Sequence, residues 1–163
     1  MNTWSPGLKG CGGLPTRGTN PVSTGWWVED PDTGLITFDG TMRFGAGMTR
    51  GLGVYRLTLP VPGVNLDPEG FSMIGNATVG YGLTHKGGGL HFCGVDGYVS
   101  TDHAVISLDG GLFVDHDSPN AGGTIDNIHY WGSYVSSTLP RPYPLTRGMR
   151  VGPSKTSTIG AVT

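Results

Sequence analysis

In two places this chain sets a carboxylate beside an imidazole: Asp102-His103 and Asp115-His116-Asp117. Acid–base work or metal binding needs such groups to converge in space. Neighbours on an extended strand point to opposite faces, so Asp102 and His103 are expected to diverge. The other histidines, His85, His91 and His129, stand apart from any carboxylate in sequence. Asp115 to Asn120 places oxygens at alternate positions, as a calcium loop does. It lacks the central Gly and the closing Glu that such a loop needs. No Gly-x-Ser-x-Gly elbow occurs, and Gly87-Gly88-Gly89 lacks the Lys-Ser/Thr and helix of a phosphate loop. Asn76-Ala77-Thr78 matches a glycosylation sequon without a secretory signal ahead of it. The two cysteines, Cys11 and Cys93, are far apart and read as thiols, with a disulfide left open. These residues lead us to expect no catalytic residue, no cofactor and no metal.

The aromatic and basic residues point instead to contact surfaces. Trp26 and Trp27 are adjacent, so on a strand one faces the core and the other faces out. With Trp131, Tyr130 and Tyr134 they offer a platform on which a sugar ring could stack. Trp is also enriched at protein interfaces, and a subunit contact is the preferred reading of Trp4, Trp26, Trp27 and Trp131. No acid follows Asp126, whereas Arg141, Arg147, Arg150 and Lys155 do. That locally basic tail makes Arg141, Arg147 and Arg150 further candidates for partner contacts.

These side chains must be positioned by strands. The most informative run is Leu35 to Phe44, where Ile36, Phe38, Gly40, Met42 and Phe44 share one parity. Thr37, Asp39, Thr41 and Arg43 share the other, which is period two. A glycine-rich loop, Gly45 to Gly53, leads to a second alternating run, Val54 to Leu59, stopped by Pro60, and the two strands are expected to pair as a hairpin with a long loop. Ile36, Phe38, Met42, Phe44, Tyr55, Leu57 and Leu59 are the expected core. Further strands are expected at Gly25–Glu29, Phe71–Leu83, Leu90–Cys93, Gly97–Ser100, Ala104–Leu108, Leu112–Val114 and Ile125–Val135. Turns are expected at Asp30–Gly34, Lys86–Gly89 and Asp109–Gly111. No segment has helical period.

The sequence has 163 residues with 30 Gly and 12 Pro, and the glycines lie between β-type runs, so they read as turns and bulges. Charged residues make up 13 % and net charge is −2, which gives no general case for nucleic acid or membrane binding. Connections are too short for crossover helices. The expected fold is an all-β, antiparallel β-sandwich of jelly-roll type. Residues 1–24 form an N-terminal arm, 25–135 the sandwich, and 136–163 a Pro/Arg-containing C-terminal arm.

Several short motifs follow one another along the chain: Trp4-Ser5-Pro6, Asn20-Pro21, Phe44-Gly45-Ala46-Gly47, Gly53-Val54-Tyr55-Arg56-Leu57-Thr58-Leu59-Pro60 and Gly132-Ser133-Tyr134. Over Trp4 to Val135 the chain resembles a β-sandwich module of tailed-bacteriophage minor tail and virion decoration proteins, especially those of actinobacteriophages. It departs from that pattern at Asp30-Pro31-Asp32 and in the tail after Leu139. The resemblance implies a non-enzymatic, oligomeric part of a virion, assembled in the bacterial host cytoplasm. Its partners would be copies of itself and other virion proteins. The alternative is a module at a tail tip or fibre that binds a host-surface glycan.

Overall fold

The computed structural model describes residues 1–10, 15–49, 53–64, 72–81, 84–95, 98–108 and 125–137. They form nine strands and no helix: β1 (Asn2–Trp4), β2 (Leu8–Gly10), β3 (Val22–Glu29), β4 (Leu35–Arg43), β5 (Tyr55–Thr58), β6 (Met73–Tyr81), β7 (Thr84–Val95), β8 (Tyr98–Leu108) and β9 (Asn127–Val135). The all-β, antiparallel expectation is met. Hydrogen bonding runs through one continuous sheet, in the order β1-β3-β4-β9-β6-β7-β8-β5-β2.

The sheet curls on itself. The Tyr130 hydroxyl on β9 donates to the Thr58 carbonyl on β5 at 2.8 Å, although β6, β7 and β8 lie between those strands in the sheet. The Tyr134 hydroxyl likewise donates to the Val61 carbonyl at 2.6 Å. The two halves thus face each other across the core, as sandwich layers do, within one continuous sheet.

Alternation produces that core. Ile36, Phe38 and Met42 are buried on β4, and Tyr55, Leu57 and Leu59 are buried in and just after β5. Phe44 is partly buried and packs against them. Ala77, Val79 and Tyr81 on β6 meet Leu90 and Phe92 on β7, Ile106 on β8, and Ile128, Tyr130 and Tyr134 on β9. Phe38 and Tyr134 rings lie 5.5 Å apart, as do those of Phe92 and Tyr134.

The N-terminal residues are extended, but they are part of the sheet. β1 pairs with β3 at one edge and β2 pairs with β5 at the other. Only Ser5, Pro6 and Gly7 separate them. Four residue steps span at most about 14 Å, so the curl must bring the two edges within that reach. A slot receives Trp4: Gly25 and Gly40 are directly paired and present no side chain. A Cβ on Gly40 would lie 3.1 Å from the Trp4 ring and 3.2 Å from Pro6. The indole meets Tyr130 edge-on at 5.9 Å.

Three local expectations are corrected. The strands before and after the Gly45–Gly53 loop do not form a hairpin: β4 lies between β3 and β9, and β5 lies between β8 and β2, because the loop carries the chain across to the opposite half of the curled sheet. Lys86–Gly89, expected as a turn, lies inside β7 and pairs with Asn76–Val79 on β6. The glycines there allow close strand approach, since any Cβ on Gly88 would strike the Ser107 carbonyl. The separate short strands around residues 90–108 are two long ones, β7 and β8. The Asp30–Gly34 turn forms as expected. The Asp30 carboxylate accepts from the Asp32 N–H at 2.9 Å and the Thr33 hydroxyl at 2.8 Å. Gly34 takes φ +68°. The expected hairpin at Asp109–Gly111, the strand Leu112–Val114 and the arm beyond residue 137 lie outside the described residues.

Candidate functional site

The outer face of β3, β4 and β9 gathers the side chains with the most chemical capacity. Antiparallel register sets Trp26 opposite Asp39, Asp39 opposite Trp131, and Trp131 opposite Asn76. One row therefore crosses four strands, with a carboxylate between two indoles. Cross-strand partners stand close enough to act together. Trp26 is 36 % exposed. A groove of about 330 Å³ runs between the two tryptophans, lined by Thr37, Phe38, Asp39, Gly132 and Ser133.

The imidazole of His129 holds this arrangement. Its Nε2–H donates to Asp39 Oδ2 at 2.8 Å, and its ring stacks on Trp131 at 4.7 Å with an interplanar angle of 29°. His129 and Trp131 are two apart on β9, so they share a face. One indole face is thus occupied by imidazole. The groove is lined by Thr37 and Ser133 rather than by His129, so it opens against the other face.

The expected contact residues divide by parity. Trp26 and Trp131 lie outward. Trp27 pairs with buried Phe38 and packs against the core, which satisfies the one-in, one-out expectation for the Trp26-Trp27 pair. Trp4, expected as a partner contact, is turned inward instead, because the Gly25–Gly40 slot accepts its ring. Tyr130 and Tyr134 are buried and offer no platform. Burial pushes both phenols above their usual range. Arg141, Arg147 and Arg150 lie outside the described residues, as do Cys11 and the Asp115–Asn120 segment. Cys93 is buried.

The Asp102–His103 pair overturns the expected divergence. His103 Nδ1–H donates to Asp102 Oδ1 at 2.7 Å. The cause is a break in the β7–β8 ladder: Phe92 pairs with Ala104, but Cys93 pairs with Ser100. Thr101 to His103 bulge toward the β5 side, where Leu59 N–H donates to the Asp102 carbonyl at 2.9 Å and Gly63 N–H to that of Thr101 at 2.8 Å. A bulge re-aims side chains that a regular strand would separate. His103 is 5 % exposed, and the pair reads as a fixed part of the bulge. His91 Nε2 and Ser107 Oγ, 2.9 Å apart, form a second cross-strand polar contact. Among the described residues no three His, Cys, Asp or Glu side chains converge as a metal site.

Sequence reasoning missed Asp39, His129, Thr37 and Ser133 as members of one site. Their parity was visible, but the β4–β9 pairing joins residues ninety apart in the chain. Comparison with protein-family models, curated proteins and solved structures finds no match to this chain.

Proposed function

We propose that this chain is a structural component of a tailed-bacteriophage virion, a minor tail or decoration protein that acts through oligomerisation and subunit contacts. The observation that carries this reading is the way the fold uses the short sequence motifs. Four of the five are tied into the sheet or its core. Trp4-Ser5-Pro6 bridges the two sheet edges. Gly45 of Phe44-Gly45-Ala46-Gly47 donates to the Arg17 carbonyl at 2.8 Å, and Ala46 accepts from Thr19 N–H at 2.9 Å. A Cβ at Gly45 would run into the Thr19 backbone. Tyr55 and Leu57 fill the core from β5, and Tyr134 of Gly132-Ser133-Tyr134 reaches Val61. What supports the reading is that these residues, scattered in sequence, together close the sheet and fill its core.

The surface also supports an assembled state. Leu35 and Met73 are 41 % and 60 % exposed and flank an apolar hollow with Val64 and Val135. The hollow is small, and it supports the reading only as a place where a neighbouring subunit's side chain would be received. The sequence from Ser136 onward carries Arg141, Arg147, Arg150 and Lys155 and no acid, a composition suited to contact with a partner's carboxylates.

The test is imaging of particles carrying a label on this chain, paired with light scattering of the isolated protein. Label at discrete, symmetry-related positions and a homo-oligomer in solution are expected. Deleting Pro140 to Thr163 should leave the sheet folded and reduce incorporation. Unlabelled particles and a monomer at all concentrations would sink the reading.

A further inference from the structure

We propose that the groove between Trp26 and Trp131 is a saccharide-binding site, with a pyranose ring laid on the free indole face of Trp131 and its hydroxyls on Asp39. The inference stands on the geometry of the outer face and does not rest on a virion role.

The two indoles flank β4, so they stand two strand spacings apart, about 9.5 Å. The groove is lined by groups that bind water well: the Asp39 carboxylate between the indoles, and the Thr37 and Ser133 hydroxyls in the next row along the strands. Thr37 and Ser133 are directly paired. Both are small, and this is what opens the groove beside the larger Trp131. Asp39 Oδ2 is held by His129, and Oδ1 has no partner among the described residues. A carboxylate fixed at one oxygen accepts at the other without losing its orientation.

This combination selects a polyol over an apolar protein side chain. Seating a Leu or Phe between the indoles would strip water from Asp39, Thr37 and Ser133 and return no hydrogen bond. Such burial of an unsatisfied polar group is costly. A pyranose offers both halves of the match. Its C–H face covers the indole, and its equatorial hydroxyls replace the displaced water on the carboxylate and the two side-chain hydroxyls. His129 is a positioning residue here. It backs the far face of Trp131 and orients Asp39, and it does not line the groove.

The full chain and its Trp26→Ala/Trp131→Ala double variant are applied to a printed array of mono- to tetrasaccharides covering neutral, N-acetylated and acidic pyranoses. Soluble forms of the sugars retained are then titrated, with the tryptophan emission as readout. The wild type should retain at least one pyranose class, and the double variant none. Asp39→Asn and Trp131→Ala should each weaken the titrated sugar at least about tenfold, the scale of one lost stacking or charged contact. Substitution of His85, exposed and outside the groove, should change nothing. Circular dichroism checks that each variant stays folded. An array on which wild type and double variant are indistinguishable overturns the proposal. So does sugar binding that survives both substitutions. If the array is blank while the double variant loses self-association, the face is a subunit contact and the saccharide site is refuted.

Discussion

Phe38 is 1 % exposed and lies between the Tyr130 and Tyr134 rings. Phe38→Ala should cost about 3–5 kcal/mol in denaturant unfolding, because it removes an aromatic ring from a site walled by other rings. A loss below about 1 kcal/mol would mean that neighbours collapse into the space. The tyrosines make a second test. Tyr130→Phe removes the donor to the Thr58 carbonyl and should cost about 1–2 kcal/mol. Burial raises both the Tyr130 and Tyr134 phenols above the unfolded value of about 10. A raised pKa in the folded state means that the neutral form is favoured there. The stabilisation is therefore complete below about pH 10 and is lost as pH rises toward the folded values. In an absorbance titration, Tyr130 and Tyr134 at least, among the six tyrosines, should ionise only as the sheet unfolds. Ionisation of all six near pH 10 with near-native circular dichroism would contradict the burial.

The strands differ in how much of their structure was legible. Leu35 to Arg43 was read correctly because its alternation is unbroken and each inward residue is large or is a Gly facing Trp4. Gly87–Gly89 misled because glycine in a strand and glycine in a turn look alike in sequence. Only the pairing partners on both sides, β6 and β8, show that these residues continue a strand, and only at Gly88 does a backbone carbonyl occupy the place of a Cβ. Asp102–His103 misled for the opposite reason, since a bulge is set by the neighbouring ladder and leaves no mark in the sequence. The outer-face site was half visible: Trp26 and Trp131 could be named, but the Asp39 between them is placed by long-range register. The turn at Asp30 was legible from local chemistry, and it carries its own test. Hydrogen bonds from the Asp32 N–H and the Thr33 hydroxyl lower the Asp30 pKa. A lowered folded pKa makes this stabilisation present above the unfolded value of about 3.9. It is lost as pH falls through the folded value. Asp30→Asn should therefore destabilise at neutral pH and match the wild type in strong acid. An equal difference at every pH would show that charge has no part in the turn.

At the level of the whole molecule, the curl of the sheet is the feature that needs explaining. The seven strands β3 to β9, with their edges apart, would leave the Ile36, Phe38 and Met42 face in water. They would also expose two unpaired edges, which invite aggregation. The N-terminal ten residues address both problems. β1 covers part of the β3 edge and β2 covers the β5 edge. Between them, Pro6 and Gly7 cross the opening, where Gly7 N–H donates to the Thr58 hydroxyl at 2.7 Å and Thr58 N–H to the Gly7 carbonyl at 3.0 Å. The strap works only if both ends are attached, because one edge strand alone puts no limit on the distance between the edges. Trp4→Ala should cost about 2–3 kcal/mol, less than a fully enclosed ring, since Trp4 is only partly buried. Deleting residues 1–10 should cost more than the sum of trimming either strand separately, and it should broaden the unfolding transition. Hydrogen exchange gives the sharper readout: protection should fall first in β3 and β5, the strands uncovered at the two edges. If the deletion lowers stability no further than Trp4→Ala does, and β3 and β5 stay protected, the core holds the curl by itself. The N-terminal strands would then be a covering for edges already brought together.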